Sequence, residues 1–158
     1  NAYLEPAQLG VDRWLALVAA RQRTTRPVVV VDCGTAVTVD ALDREGRHLG
    51  GLILPGLRLM RDSLQRETHG VTAEPSGASG EVALLARCTG DAVTAGTLYA
   101  LVAAVDRISG DIAHALGRGT RHLLTGGDAA TLLPLLAARW EHAPSLVLEG
   151  LAVTGRAD

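Results

Sequence analysis

The stretch Val28-Val29-Val30-Val31-Asp32-Cys33-Gly34-Thr35-Ala36-Val37-Thr38-Val39-Asp40 decides the fold. Four consecutive β-branched residues after Pro27 are what a strand buried on both faces requires, because both sides of its pleat then meet apolar neighbours. A carboxylate closes the run and Gly34-Thr35 turns the chain. Ala36 to Leu42 then alternates loosely, Arg44-Glu45-Gly46-Arg47 supplies a second turn, and His48 to Leu54 returns. A meander of three antiparallel strands is expected, ending at Pro55-Gly56.

Upstream of the meander, Val11 to Arg23 carries Trp14, Leu15, Leu17 and Val18 at helical spacing and ends in a polar cluster, which predicts a helix with Trp14 in the core. Downstream, Leu57, Met60 and Leu64 share one face of a second helix over Leu57 to Gln65. Gly70 to Gly80 reads as a Gly/Ser/Pro-containing loop and the most mobile segment. Ala92 to Leu116 is Ala/Leu/Val-rich and free of Pro, giving one long central helix or a helix broken near Ser109-Gly110. His122 to Thr125 reads as a short strand, Gly126-Gly127 as a turn, and Asp128 to Arg139 as a helix capped by Asp128. A strand over Leu146 to Leu148 and a terminal helix complete the order. Ala-rich helices packed on a Val-rich sheet define an α/β domain, with no internal repeat and no interdomain linker.

Composition narrows the function classes. The 158 residues, 47 % hydrophobic, are enough for one domain with a buried core, and with no Phe, two Trp and two Tyr that core is filled by Leu, Val and Ala. Fifteen basic and 17 acidic residues are interspersed for a net charge of -2, so no broad field exists to hold nucleic acid or an anionic membrane. No apolar run is seen that approaches the ~20 residues of a membrane span. Cys33 and Cys88 form no metal-spaced pair and no disulfide framework, as expected of a cytoplasmic protein without zinc. The absence of an initiator Met gives the expectation that the chain is cut from a longer one. A small-molecule partner is the default.

Three segments carry candidate chemistry. Asp32 at a strand end followed by Gly34-Thr35 lets backbone approach a phosphate while the Thr hydroxyl donates to it, although Gly-Thr after a strand is commonly no more than a β-turn. Leu124-Thr125-Gly126-Gly127-Asp128 runs from a strand through paired glycines into a helix start, where a flat ring can lie on bare backbone; paired glycines also simply turn chains. Both turns on one α/β core match how ATPases of the actin, hexokinase and Hsp70 type grip phosphate and adenosine, an analogy of fold. Leu9-Gly10-Val11-Asp12-Arg13-Trp14 offers either a helix cap with a surface ion pair, or an Asp12 that orients and deprotonates a hydroxyl beside an Arg13 that holds an anionic or carbonyl group. The five histidines, His48, His69, His114, His122 and His142, lack metal spacing, and Cys33 reads as small-residue packing.

Taken together, the chain resembles the type III pantothenate kinases, also called the Bvg accessory factor family. The resemblance rests on Asn1-Ala2-Tyr3, Leu9 to Trp14, Asp32 to Asp40, Gly50-Gly51-Leu52-Ile53-Leu54-Pro55-Gly56 and Thr125-Gly126-Gly127, in order and in register, with the family's twenty-residue separation between Asp12 and Asp32. It implies a ribonuclease H-like domain of the actin/hexokinase/Hsp70 superfamily, with the antiparallel meander and parallel strands flanked by helices. It implies that Asp12 accepts the proton of the substrate hydroxyl and that Tyr3, Gly10, Val11, Asp12 and Arg13 surround pantothenate. Asp32 matches the ligand of a monovalent cation (K+ or NH4+), and Gly34-Thr35 and Gly126-Gly127 match contacts to ATP, which is used with Mg2+. Thr89, within Cys88 to Gly96, matches the Thr that the partner of a homodimer lends to the pantothenate pocket.

Complete family members open with an Asp-x-Gly-Asn-Thr phosphate loop in a first half that duplicates the fold of the second, and no such segment occurs here. Residues 1–158 are therefore expected to be the single C-terminal domain of a two-domain kinase, with the N-terminal domain absent from this chain. A non-catalytic ligand-binding or dimerisation module and another small-molecule kinase of the superfamily are the alternatives.

Overall fold

The computed structural model describes residues 1–71 and 84–155. Five strands form one sheet: β1 (Val28–Cys33), β2 (Ala36–Leu42), β3 (His48–Pro55), β4 (Arg121–Thr125) and β5 (Glu141–His142), in the order β3-β2-β1-β4-β5. β1 pairs antiparallel with β2 and β2 with β3, whereas β1–β4 and β4–β5 are parallel. The expected meander is present, and Gly46, at φ +82°, supplies the left-handed residue of its second turn.

The period of two along β1 sorts the core into two layers. Val29, Val31 and Cys33 join Val37, Val39 and Leu124 beneath α2 (Leu57–Glu67), α3 (Thr89–Leu116) and α4 (Ala129–Leu132). Val28 and Val30 face the other way, with Leu42 and Leu123, onto α1 (Val11–Arg23) and α5 (Leu146–Thr154). All four valines of β1 are buried, each contributing roughly 1.5–3 kcal/mol by leaving water. On the second layer Gly150 lets α5 lie directly on α1, since a Cβ there would overlap the backbone of Leu15.

Several expectations are corrected. Trp14 is 43 % exposed, not core: α1 turns Arg13, Ala16, Leu17 and Ala20 inward, and Trp14 falls beside that stripe. The helix expected over Asp128 to Arg139 ends after Leu132 and passes into a 3-10 turn over Leu133–Leu135, because Pro134 has no N–H to continue the ladder. Leu146 to Leu148 is not a strand but the first turn of α5. Such a continuous apolar run fits either state by periodicity, and here Leu146 and Gly150, four apart, are the residues that meet the core. The last strand is the two-residue β5.

α3 is a single unbroken helix, and the Ser109 hydroxyl donates to the Val105 carbonyl at 2.6 Å within it. By length and composition α3 could cross a membrane, which the sequence reading passed over. Its Leu98, Leu101, Val102 and Val105 pack on the sheet, so it is a core helix. Beyond residue 71, the loop expected over Gly70 to Gly80 lies outside the described residues.

Candidate active site at the carboxyl end of the parallel strands

β1 and β4 run side by side in the same direction, and the chain leaves both through glycine turns at the same sheet end, the place where open α/β sheets bind ligands. Gly126 stands at φ +93°, and a Cβ on it would lie 2.5 Å from both Asp32 Oδ1 and the backbone of Cys33. Only glycine permits that conformation and that approach. The Asp128 N–H donates to the Cys33 carbonyl at 3.0 Å and locks the two turns together. Asp128 thus occupies the start of α4, but its side chain makes no cap bond; its backbone clamps the turns. Gly127 faces open space, so the missing side chain leaves bare backbone exposed.

A cavity of about 250 Å³ lies between these turns, lined by Cys33, Gly34, Thr35, Arg58, Gly127 and Asp128. Gly56 brings α2 against its rim, donating its N–H to the Thr35 carbonyl at 3.0 Å. A larger cavity of about 680 Å³, lined by Arg121, His122 and Trp140 among others, sits at the start of β4, away from both turns. The smaller cavity is the better candidate because it combines open backbone, a hydroxyl and a cation.

Asp32 shares the parity of Val28 and Val30 and so points to the α1 side of the sheet. Burial raises its pKa, and the negative charge of Asp12 raises it further. The two aspartates therefore share one electrostatic field, with Asp12 exposed in the first turn of α1 and its Oδ1 accepting the Arg13 N–H at 2.9 Å. Gly10 precedes them as the N-cap residue; a Cβ there would lie 2.6 Å from Asp12 Oδ1. Burial, then the charges of Asp32 and Asp128, push the Cys33 thiol up to about 12, so it stays protonated and serves as packing.

Arg13 turns away from solvent. Its Nε and Nη2 donate to the two carboxylate oxygens of Asp40 at 2.7 and 2.6 Å, and its Nη1 donates to the Tyr3 hydroxyl at 2.6 Å. The Asp40 hydrogen bonds hold the guanidinium pKa above its ordinary value against the opposing effect of burial. Gly51, directly across from Asp40 on β3, leaves the room, since a Cβ there would overlap both Asp40 and the Arg13 Nη2.

Of the residues singled out in the sequence, the structure brings Asp12 and Asp32 into one field, Gly34, Thr35 and Gly127 to one cleft, Gly126 against Asp32 and Cys33 beside it, and Tyr3 onto Arg13. Val11 is 73 % exposed beside them. Thr89 stands exposed at the start of α3 and does not line the cleft. Among the described residues no group of three or more His, Cys, Asp or Glu could hold a metal ion. Sequence reasoning missed Arg58, Asp40 and His48. Arg58 sits in the first turn of α2, where the helix dipole disfavours a cation, and that anomaly was the available signal. Asp40 was legible as an acid inside a β-branched strand. His48 had none; it is buried, with its Nε2 2.9 Å from Asp40 Oδ1.

Comparison with known proteins places the whole chain rather than the cleft. The family described as type III pantothenate kinase matches residues 1–111. The type III pantothenate kinase of Nitrosococcus oceani is 47 % identical over 157 residues, covering 96 % of this chain and 58 % of its own length. That of Thiobacillus denitrificans is 49 % identical, covering 99 % of the chain and 63 % of itself. The chain thus spans about three fifths of these relatives. Among solved structures, a conserved Baf family protein from Campylobacter jejuni superposes with a TM-score of 0.66 at 23 % identity, over 98 % of this chain and 66 % of that one. An activator of 2-hydroxyisocaproyl-CoA dehydratase from Clostridium difficile, solved with bound ADPNP, gives 0.56 at 16 % identity, over 90 % and 65 %; both are likenesses of fold. On the strength of its sequence matches, the chain belongs to the type III pantothenate kinase family.

Proposed function

We propose that the protein containing this chain transfers the γ-phosphoryl group of ATP to the hydroxyl of pantothenate, the first step of coenzyme A biosynthesis, in the cytoplasm. The observation that carries the reading is the meeting, at one sheet end, of an exposed carboxylate, a partly buried one and two bare glycine turns. In-line phosphoryl transfer needs little covalent chemistry from a protein and much positioning. Asp12 is free at the surface to accept the substrate proton, which in a loose transition state leaves late and needs no strong base. Thr35 and Arg58 sit where phosphate oxygens would be held, and Gly126-Gly127 where the adenosine would lie.

Tyr3, Gly10, Val11 and Arg13 form the pantothenate side, and Thr89 of a second subunit completes it in a homodimer. Asp32 fits a monovalent cation ligand, because a desolvated carboxylate facing a second carboxylate is stabilised by any bound positive charge. Potassium or ammonium there, and Mg2+ on the nucleotide, would neutralise phosphate charge.

The test is isothermal titration of the chain with pantothenate in potassium buffer, with Asp12→Asn in parallel and an ATP-dependent phosphorylation assay. Pantothenate binding without turnover fits a chain that carries the substrate side and relies on further residues for the first phosphate loop. Turnover would establish that the described site is sufficient. A folded chain that binds no pantothenate would remove this reading in favour of a non-catalytic module or another substrate.

A further inference from the structure

We propose that Asp40 and His48 are positioning residues that set the specificity of the pantothenate side, a proposal that rests on the substrate reading above. The hydrogen-bond directions decide it. Ala2 N–H donates to His48 Nδ1 at 3.3 Å, so the imidazole proton lies on Nε2 and is donated to Asp40 Oδ1 at 2.9 Å. Asp40, 3 % exposed, therefore receives three donors, two from Arg13 and one from His48.

Arg13 in turn donates to the Tyr3 oxygen, which leaves the Tyr3 hydroxyl proton for another acceptor. A guanidinium carries five N–H hydrogens; with three engaged, two remain. Tyr3, half-buried and held by Arg13, offers that hydroxyl proton as a donor suited to a carboxylate oxygen, while Arg13 itself is buried against Asp40 and acts by holding Tyr3 in place. His48 clips Ala2, Arg13 clips Tyr3, and Asp40 joins the two clips, so the whole N-terminal segment is registered against α1 through a single buried carboxylate. Asp40 and His48 touch neither reacting atom; they act through Arg13 and Tyr3.

The experiment compares the affinity of the chain for pantothenate with that for pantothenol, in which an alcohol replaces the carboxylate. Wild type, His48→Leu, His48→Gln and Ala2→Pro are titrated, with unfolding followed in parallel. Wild type is expected to prefer pantothenate at least tenfold. His48→Leu and Ala2→Pro should reduce that preference severalfold. His48→Gln, whose amide can accept from Ala2 and donate to Asp40, should restore it to within about threefold of wild type. Ala2→Pro deletes the clip from an exposed residue and keeps the test alive if His48→Leu does not fold. An equal loss of affinity for both ligands, or no loss of preference in Ala2→Pro, overturns the positioning role. A folded wild-type chain that binds neither ligand fails at the earlier step and overturns the substrate reading together with this one.

Discussion

Two carboxylates on the same face of the sheet, Asp32 on β1 and Asp40 on β2, have opposite surroundings. Asp40 is saturated by Arg13 and His48, and its charge is spent inside the protein. Asp32 meets no side-chain donor among the described residues, and the charge that acts on it is the like charge of Asp12. Buried charges are usually neutralised by partners already in the chain. One left beside a second carboxylate at the open end of parallel strands is held for something that arrives from outside. The contrast separates a scaffold of the site from its working edge, although both acids belong to one unbroken β-meander.

The largest effect expected from testing this contrast is on the Asp40 side. Asp40→Ala leaves Arg13 buried without its counter-ion, and chemical denaturation should register a loss of about 3–5 kcal/mol. A loss under about 1 kcal/mol would mean that the pair is solvated and the contrast is false. On the Asp12 side the expected effect is catalytic. Asp12→Asn in the active kinase should lower kcat by about 10²–10⁴-fold and move stability by no more than about 0.5 kcal/mol, as for an exposed helix residue.

The paired glycines give an intermediate test. Gly126→Ala should destabilise by about 1–3 kcal/mol through its left-handed conformation alone and abolish nucleotide binding. Gly127→Ala, facing open space, should stay within about 0.5 kcal/mol by thermal melts while still weakening the nucleotide.

Asp32→Asn should act in the opposite direction to Asp40→Ala. A carboxyl pKa raised by folding means that the folded chain binds the proton more tightly than the unfolded one. Stability is then greatest below the ordinary value of 3.8 and falls as pH rises through the raised folded value. Asp32→Asn removes that fall, so its melting temperature should exceed wild type at pH 7 and converge with it at low pH. Potassium should raise the wild-type melting temperature at pH 7 and leave that of Asp32→Asn unchanged. The smallest effect concerns Cys33: alkylation followed by mass spectrometry should label exposed Cys88 and spare Cys33, whose thiol is buried and protonated.

How far this contrast could be read in advance differs from residue to residue. Asp32 announced itself by ending a valine run in front of Gly-Thr. Asp40 lies beyond the turn, where the period of two starts afresh, and only the pairing of Val30 with Asp40 gives it the phase of Asp32. That phase could not name Arg13 as the partner, because the pairing joins residues 27 apart and depends on a glycine across the strand. Arg13 was expected beside the substrate, and the pattern gave no sign that Asp40 and Tyr3 would hold it there. Trp14 was misplaced because neighbouring helix positions differ by about 100° and a short apolar cluster does not fix which flank faces the sheet.

The sequence alone determined the meander, α1, the long α3 and the order of the glycine turns, since these follow from β-branched runs, turn residues and helical spacing within a few residues of each other. The tertiary structure alone decided where α4 stops, that Leu146 to Leu148 is helical, which acid is neutralised and which is left open. Those outcomes depend on what each segment packs against, and contacts between distant residues leave no mark in a local pattern.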